Sequence, residues 1–375
     1  MRVMVTGGGT GGHIYPALAL IRHMQKTTDD LDVCFVGTDN GMEATIVPRE
    51  GIPFQSVKIT GFRRKLSFEN IKTVIRFMKA VRTARGYIRT FQPDIVIGTG
   101  GYVCGPVVYA ASKAGIPTVI HEQNSVPGLT NKFLSRYADR IVTSFEVEPG
   151  AFPKHKMHLL GNPRATEVVS SVEEDGESYL KQAGLDPEKR TILAVGGSRG
   201  AMPVNNAVIK LIPKLTGSAY QLIYVTGEAH YEQANQALRD AGLNDQVHVV
   251  PYLHNMPAVL KEVDLLIARA GATTLAEITA LGLPSIMIPS PYVTNNHQEK
   301  NARLIERAGA GIVLLETELS ADQLFNEVDL LLSDDGKLER MKENAMKLGL
   351  PDAAPDMVKM IDELILNDQK GTPEK

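Results

Sequence analysis

Two glycine-rich loops stand about half a chain apart, Gly7-Gly8-Gly9-Thr10-Gly11-Gly12-His13 and Gly196-Gly197-Ser198-Arg199-Gly200-Ala201, each between a short apolar run and a helical pattern. Glycines at a strand-to-helix junction let backbone N–H groups approach an oxyanion with no Cβ in the way, and the positive end of the helix dipole faces the same point. The natural occupant of such a turn is a phosphate or diphosphate. Tight turns without a ligand would account for either loop alone; the pairing predicts two nucleotide-type α/β domains facing one cleft. The first loop also fits the dinucleotide fingerprint Gly7-x-Gly9-x-x-Gly12, with Asp39 beyond the next strand as a candidate ribose partner.

Apolar runs alternating with helical periodicity extend this plan along the chain. Strands are predicted at 2–6, 32–37, 54–58, 94–98, 118–121, 140–143 and 157–160, and again at 191–195, 221–226, 246–250, 265–268, 285–288 and 311–315. Such alternation argues for parallel sheets, and 375 residues suffice for two domains with a core each. The turn Gly161-Asn162-Pro163 marks the boundary, giving domains at 1–162 and 163–350. A break at 351–355 precedes a last helix, about 351–368 with its break, expected to return to the first domain. The acidic stretch Glu173-Glu174-Asp175-Gly176-Glu177 reads as solvent-exposed surface just past the boundary.

Cys34 and Cys104 lie in or beside apolar segments without ligand spacing and read as reduced core thiols of a cytoplasmic protein. The chain enters a strand at once, without a leader pattern, and no apolar stretch reaches the roughly 18 residues of a spanning helix. A secreted or integral protein is therefore not expected. Net charge is −3, which excludes a general polyanion binder, yet between residues 62 and 91 nine basic residues (Arg63, Arg64, Lys65, Lys72, Arg76, Lys79, Arg82, Arg85, Arg89) stand against one acid, Glu69. In that segment Phe68, Ile71, Val74, Ile75, Met78 and Val81 recur at helical spacing, with Phe77 off the stripe. This is the pattern of a basic amphipathic helix on an anionic membrane surface, or of a surface helix with an ordinary core stripe. Nucleic acid is disfavoured, because no stacking aromatics interleave with the charges.

In open parallel sheets ligands gather beyond the carboxyl ends of the strands. Those ends are polar and glycine-rich here: Thr99-Gly100-Gly101-Tyr102, a third anion-friendly nest; Glu122-Gln123-Asn124-Ser125-Val126-Pro127-Gly128; and Arg269-Ala270-Gly271-Ala272-Thr273-Thr274-Leu275-Ala276-Glu277. Thr274 with Glu277, and Asn295 with Gln298, also have capping-box spacing, which would make those side chains helix caps rather than ligand contacts. Hydride transfer would not need the second glycine loop. Moving a sugar from a nucleotide diphosphate uses both: one domain holds the donor nucleotide, the other the acceptor, and backbone N–H groups stabilise the departing diphosphate. Neither metal nor cofactor is then required, and the only D-x-D, Asp30-Leu31-Asp32, precedes a strand at the wrong end of the sheet.

The chain closely resembles the bacterial MurG family. The resemblance is carried by 8–17 (Gly-Gly-Thr-Gly-Gly-His-Ile-Tyr-Pro-Ala), by Gly98-Thr99-Gly100-Gly101-Tyr102, by His121-Glu122-Gln123-Asn124 with Gly128 and Asn131, and by Leu283 to Pro289 running on to His297-Gln298-Glu299-Lys300-Asn301-Ala302. With 196–201 and 270–277 it spans nearly the whole chain in order. It implies a GT-B type α/β fold, with two Rossmann-like parallel-sheet domains facing a central cleft and a C-terminal helix returning to the first. The implied activity is inverting transfer of N-acetylglucosamine from UDP-N-acetylglucosamine to a polyprenyl-diphosphate-linked muramoyl pentapeptide, on the cytoplasmic face of the cell membrane. The acceptor's lipid tail gives the basic segment 62–91 a reason to meet an anionic bilayer, and cell-wall synthesis proteins are the partner class the family brings with it.

By the same resemblance Ser198 meets the donor diphosphate, Glu277 holds the ribose, Leu253 offers backbone groups to the uracil, and Arg164 supplies a donor contact. Ala272, Thr273 and Gln298 face the transferred sugar, with Asn124 reaching it from the other domain. Thr10, Gly11 and Gly12 line the cleft among the donor contacts on the side where the acceptor diphosphate is expected, near Tyr102 and Glu122. His13 is the expected general base, its alternative role being a polar bond to the loop or to the acceptor diphosphate. A diacylglycerol glycosyltransferase, a nucleotide-sugar epimerase, a non-catalytic sugar-nucleotide sensor or scaffold and, least favoured, an NAD oxidoreductase are the competing readings.

Overall fold

The computed structural model describes residues 1–61, 68–171, 178–196, 201–253 and 255–369. Ser198 and its neighbours 197–200, the basic residues Arg63, Arg64 and Lys65, and the whole acidic stretch 173–177 lie outside the described residues. The chain forms two compact units, Met1–Thr166 with Asp352–Lys375, and Glu167–Pro351.

In the first unit β1 (Arg2–Thr6), β2 (Asp32–Gly37), β3 (Phe54–Ser56), β4 (Ile95–Gly98), β5 (Thr118–Glu122), β6 (Arg140–Thr143) and β7 (Met157–Leu159) make one sheet. Its order is β3-β2-β1-β4-β5-β6-β7, with every pair parallel. The helices are α1 (Gly11–Thr27), α2 (Glu43–Arg49), α3 (Phe68–Phe91), α4 (Cys104–Lys113) and α5 (Leu129–Leu134), and α6 (Pro163–Ser170) starts in this unit and runs on into the second. Strand side chains alternate between two cores, as the two-residue period requires. Val3, Val5, Phe35, Ile95 and Ile97 pack with α1 on one face, while Met4, Val36, Val96 and Ile120 pack with α3 and α4 on the other.

The second unit contains α7 (Tyr179–Gln182), β8 (Thr191–Val195), α8 (Met202–Leu211), β9 (Gln221–Val225), α9 (Tyr231–Ala241), β10 (Val247–Val250) and α10 (Met256–Glu262). It continues through β11 (Leu265–Ala268), α11 (Ala272–Leu281), β12 (Ser285–Met287), α12 (His297–Arg307), β13 (Ile312–Val313), α13 (Ala321–Leu332) and α14 (Asp335–Leu348). The strand order β10-β9-β8-β11-β12-β13 is again wholly parallel. The last helix, α15 (Ala353–Gln369), packs Met357, Met360, Ile361 and Leu364 into the first unit's core beside α1, as the sequence led us to expect. Each predicted strand is present, with no end displaced by more than two residues.

Helix α3 departs from the predicted stripe. Its core side is Ala80, Val81, Ala84 and Ile88, with Phe77 packed against the same cluster. Val74, Ile75 and Met78, assigned with Val81 to one stripe, are 49%, 51% and 59% exposed. The reason is steric: the small Ala80 and Ala84, four residues apart, let α3 lie close on the Val107, Val108, Ala110 and Ala111 face of α4, which turns the larger apolar residues outward. Among the described residues no helix is long and apolar enough to cross a membrane.

Because Ile361 is fully buried among first-unit residues, Ile361→Ala should cost about 2–4 kcal/mol, the range for an aliphatic side chain cut to alanine in a core. Urea unfolding should show an earlier midpoint for the transition assigned to the first unit alone.

Candidate functional site

In both sheets the strand order reverses beside the first strand of the unit, between β1 and β4 and between β8 and β11. A crevice opens at such a switch point because the chains leaving the two strands run to opposite faces. In each unit a glycine-rich loop follows one of these strands.

In the first unit the loops after β1 and β4 are joined by the Gly8 amide, which donates to the Gly100 carbonyl at 3.2 Å. The approach demands glycine: a Cβ on Gly101, whose φ is +85°, would lie 2.3 Å from the Gly8 carbonyl oxygen, and one on Gly7 would lie 2.2 Å from Thr99 Oγ1. Helix α1 then begins at Gly11, with Thr10 as an extended N-cap whose side chain makes no capping bond. First-turn amides have no acceptor within the helix, so Gly11 and Gly12 present donors at the positive end of the dipole. Thr10 and Gly12 are exposed and Gly11 half-buried. The loop after β4 is less of a nest than predicted. Its Gly100 amide contacts Cys104 Sγ at 3.1 Å and its Thr99 amide donates to Thr6 O at 2.8 Å, so it braces the first loop.

His13 lies in the first turn of α1 with Nδ1 2.9 Å from the Gly8 carbonyl oxygen and 3.3 Å from Thr10 Oγ1. A carbonyl only accepts, so in the neutral imidazole Nδ1 carries the proton and Nε2 the lone pair. One edge of the ring lies against Gly100, whose ideal Cβ would come 2.6 Å from His13 Cδ2. Tyr102, 40% exposed, covers Gly9 and Gly61 with its ring.

At the end of β5 the predicted acceptor contact Glu122 is turned inward and buried. Its Oε1 accepts from the Asn124 amide and Nδ2 at 3.1 and 3.3 Å, and its Oε2 from the Gly128 amide and Asn131 Nδ2 at 3.0 and 2.9 Å. With both oxygens committed, Glu122 shapes the 123–128 loop and aims Asn124. Gln123, which sequence reasoning passed over, donates from Nε2 to Thr99 O at 2.5 Å and meets His121 Nδ1 at 3.1 Å, tying β5 to the loop after β4. His121 is fully buried, and its Nε2 lies 3.0 Å from Gly161 O and 3.0 Å from Ser144 Oγ. Burial pushes its pKa down to about 4, with the hydrogen bond to Gly161 opposing and the charge of His13 adding to the fall.

In the second unit the loop after β8 starts at Gly196, where a Cβ would sit 2.0 Å from Asn205 Oδ1. Asn205, also unforeseen, is buried in α8. It donates from Nδ2 to Thr226 O at 3.1 Å and accepts from Tyr224 Oη at 2.8 Å, bracing the loop root. Helix α8 begins without a side-chain cap. After β11, α11 starts at Ala272 with Gly271 as N-cap, again without a side-chain cap. Thr274 is thus inside the helix and the Thr274–Glu277 capping box does not form; Glu277 is buried in the second turn, on the helix that carries Ala272 and Thr273. Thr273 Oγ1 is buried with no hydrogen-bond partner among the described residues.

The Asn295–Gln298 box is likewise absent, because Asn296 is the N-cap of α12 and makes no capping bond. Gln298 Oε1 instead accepts from the Ser290 amide at 2.8 Å, bracing a turn in which Asn295 and Asn296 adopt φ of 56° and 50°. Leu253 follows β10 with its side chain buried. Arg164 belongs to the first unit, in the first turn of α6, where its amide donates to Asn162 Oδ1 at 3.1 Å. Asp39, the ribose candidate, is exposed beside Asn40, and the buried carboxylate of that region is Glu43. The hint for Glu43 was the glycine pattern around it, Gly37 and Gly41, which leaves room for a side chain.

Two parallel units, each with a phosphate-type loop at its switch point, define a nucleotide-sugar-type glycosyltransferase fold. The models for the glycosyltransferase family 28 N-terminal and C-terminal domains match residues 3–143 and 191–357. A UDP-N-acetylglucosamine--N-acetylmuramyl-(pentapeptide) pyrophosphoryl-undecaprenol N-acetylglucosamine transferase of Halalkalibacterium halodurans is 56% identical over 364 residues, covering 97% of this chain and 99% of the relative. The crystal structure of Acinetobacter baumannii MurG superposes with a TM-score of 0.76 at 29% identity, covering 96% of this chain and 99% of that one. A UDP-GlcNAc 2-epimerase from Neisseria meningitidis bound to UDP-GlcNAc gives 0.66 at 15% identity, over 97% of this chain and 100% of that one, and shares the fold alone. The chain belongs to glycosyltransferase family 28 and, within it, to the MurG family.

The buried His121 sets a pH dependence. Its folded pKa of about 4 lies below the unfolded value of about 6.5, so between these values the unfolded chain binds the extra proton and stability falls as pH falls. The full effect is of order 3 kcal/mol, lost progressively from about pH 6.5 to about pH 4 and retained above. Urea midpoints of the first unit measured across that window should decline, and His121→Asn should flatten the decline.

Proposed function

We propose that the protein transfers N-acetylglucosamine from UDP-N-acetylglucosamine to the muramoyl 4-hydroxyl of undecaprenyl-diphosphate-linked muramoyl pentapeptide, converting lipid I to lipid II in peptidoglycan synthesis. The observation that carries this is the 56% identity, over 97% of the chain, to a relative whose name states that transfer. The geometry supplies a chemistry for it. His13 Nε2 removes the proton of the attacking hydroxyl, the acceptor oxygen bonds to the anomeric carbon, and the bond to the UDP oxygen breaks on the opposite face with inversion. The Gly11 and Gly12 amides hold the acceptor diphosphate, with Thr10 and Tyr102 flanking it and Asn124 toward the sugar. Charge growing on the departing diphosphate is met in the second unit by the N-terminus of α8 and the loop bearing Ser198. Glu277 takes the ribose, Leu253 the uracil, Arg164 the donor, and Ala272, Thr273 and Gln298 the sugar hydroxyls.

The acceptor is held in a bilayer, so the enzyme works at its cytoplasmic face as a peripheral protein. The surface suited to this is α3, where exposed Val74, Ile75 and Met78 stand among exposed Arg76, Lys79 and Arg82. Phe77 joins it edge-on to Phe133 at 5.9 Å, extending the apolar patch to Phe133 and Leu129 on α5, which are 38% and 72% exposed. Apolar side chains ringed by cations are what an anionic interface holds.

With radiolabelled UDP-N-acetylglucosamine and a polyprenyl-linked muramoyl acceptor, label should pass into the lipid phase. Conversion of the donor with no acceptor present would instead mark an epimerase. His13→Ala should lower turnover by roughly 10²- to 10⁴-fold with little change in nucleotide affinity; lost affinity with surviving turnover would refute its role.

Ile75→Glu with Met78→Glu should abolish sedimentation with anionic vesicles and reduce transfer to membrane-embedded acceptor. Activity on a short-chain acceptor should be spared, and equal loss on both acceptors would refute the membrane role of α3.

A further inference from the structure

Glu43 is the first residue of α2 and has no exposed surface. Its Oε1 accepts from the Thr38 amide at 3.0 Å and from Thr38 Oγ1 at 2.7 Å, and its Oε2 accepts from the Gly9 amide at 3.0 Å. Three glycines with ordinary backbone angles make room for it. A Cβ on Gly8 would lie 2.3 Å from Oε1, one on Gly37 2.5 Å from Cγ, and one on Gly41 2.2 Å from Oε2. At Gly8 and Gly41 the three nearest atoms all belong to this one carboxylate, while Gly37 also makes room for the Phe54 ring, and two glycines set around one carboxylate imply that its position matters to more than packing.

The Gly9 N–H and the Gly8 C=O belong to the same peptide group, and in a trans peptide they point in opposite directions. Glu43 holds the N–H end, and His13 Nδ1 holds the C=O end at 2.9 Å. Glycine on both sides, with Gly9 at φ +84°, leaves this peptide plane unusually free to rotate by half a turn. Such a flip would aim an N–H at His13 Nδ1, favour the other tautomer, and remove the lone pair from Nε2. The carboxylate opposes the flip because the turned carbonyl would face its negative charge. Accepting from the N–H also polarises the peptide, so the Gly8 oxygen better stabilises a positive imidazolium.

We propose that Glu43 is a positioning residue for the transfer reaction, acting through the Gly8–Gly9 peptide to fix His13 as the Nδ1–H tautomer and to support its charge once Nε2 has taken the proton. This rests on the reading of His13 as the base. The arrangement performs the orienting task of a carboxylate bonded directly to a histidine, with a peptide group interposed.

The test compares wild type, Glu43→Gln and His13→Ala. Glutamine keeps the shape but sets an amide N–H₂ where one of the acceptors was. Glu43→Gln should lower kcat about 10- to 100-fold with the KM for UDP-N-acetylglucosamine unchanged, and should shift the acidic limb of the kcat–pH profile to lower pH. With ¹⁵N-labelled histidine, NMR should show His13 as the Nδ1–H tautomer in wild type and as a mixture in Glu43→Gln. A wild-type Nε2–H tautomer overturns the proposal even if Glu43→Gln does not fold. A folded Glu43→Gln with reduced activity but wild-type tautomer and pH profile has a structural defect only and also overturns it. If His13→Ala keeps full turnover, the base reading itself fails and takes this proposal with it. If His13→Ala is inactive while Glu43→Gln matches wild type, only the role of Glu43 falls.

Discussion

The contact on which the first unit's chemistry depends is the approach of two loops at a strand-order reversal, closed by the Gly8 amide on the Gly100 carbonyl at 3.2 Å. Parallel strands send their connections to opposite faces at this point, so the loops leave a gap that side chains would ordinarily fill. Glycines at 7, 100 and 101 keep it open to backbone atoms and to the His13 ring, which lies where a Cβ on Gly100 would be. Any side chain there would separate the loops and move the imidazole together with the amides of Gly11 and Gly12.

Two buried glutamates stabilise this polar region, and they do so in the same way. Glu43 takes three donors from the β2–α2 connection and the first glycine loop, and Glu122 takes three from the loop after β5 and a fourth from Asn131 on α5. Removing a carboxylate from water costs several kcal/mol, and backbone N–H groups fixed in loops offset this without the entropy of ordering a long cationic side chain. The result is a polar floor whose geometry is set by buried charge while its rim, at Thr10, Gly12 and Tyr102, stays exposed. A ligand arriving at the rim meets donors already oriented, which is the condition under which dipoles stabilise charge most effectively.

Much of this was legible in the chain. The strands were readable because parallel strands buried on both faces are short runs of Val, Ile and Leu between glycine-rich turns, and the two loops were readable because glycine clusters there have few other uses. The direction of side chains was not. Glu122 reads as a ligand contact by its place at a strand end, yet it is consumed by its own loop, since the Gly128 amide and Asn131 come within reach only when the chain folds back. Thr274 and Glu277 have capping-box spacing, but Gly271 starts the helix three residues earlier. Asn205 was invisible and Glu43 was hinted at only by Gly37 and Gly41, because their importance lies in contacts with residues 21 and 34 positions away, Thr226 and Gly9.

Helix α3 shows the same limit from the apolar side. Periodicity measures which residues share a face, and two apolar faces of one helix are indistinguishable until a partner is chosen. The partner α4 offers a surface of Val107, Val108, Ala110 and Ala111, and a helix approaches such a surface most closely through its own small residues. Ala80 and Ala84 therefore face inward although Met78 and Ile75 are more hydrophobic, and transferring the larger pair from water is left undone in the folded protein. Half-exposed Val74, Ile75 and Met78 each forgo roughly 1 kcal/mol of burial. Close packing within the unit and an outward apolar surface are thus consequences of a single choice of small residues at 80 and 84.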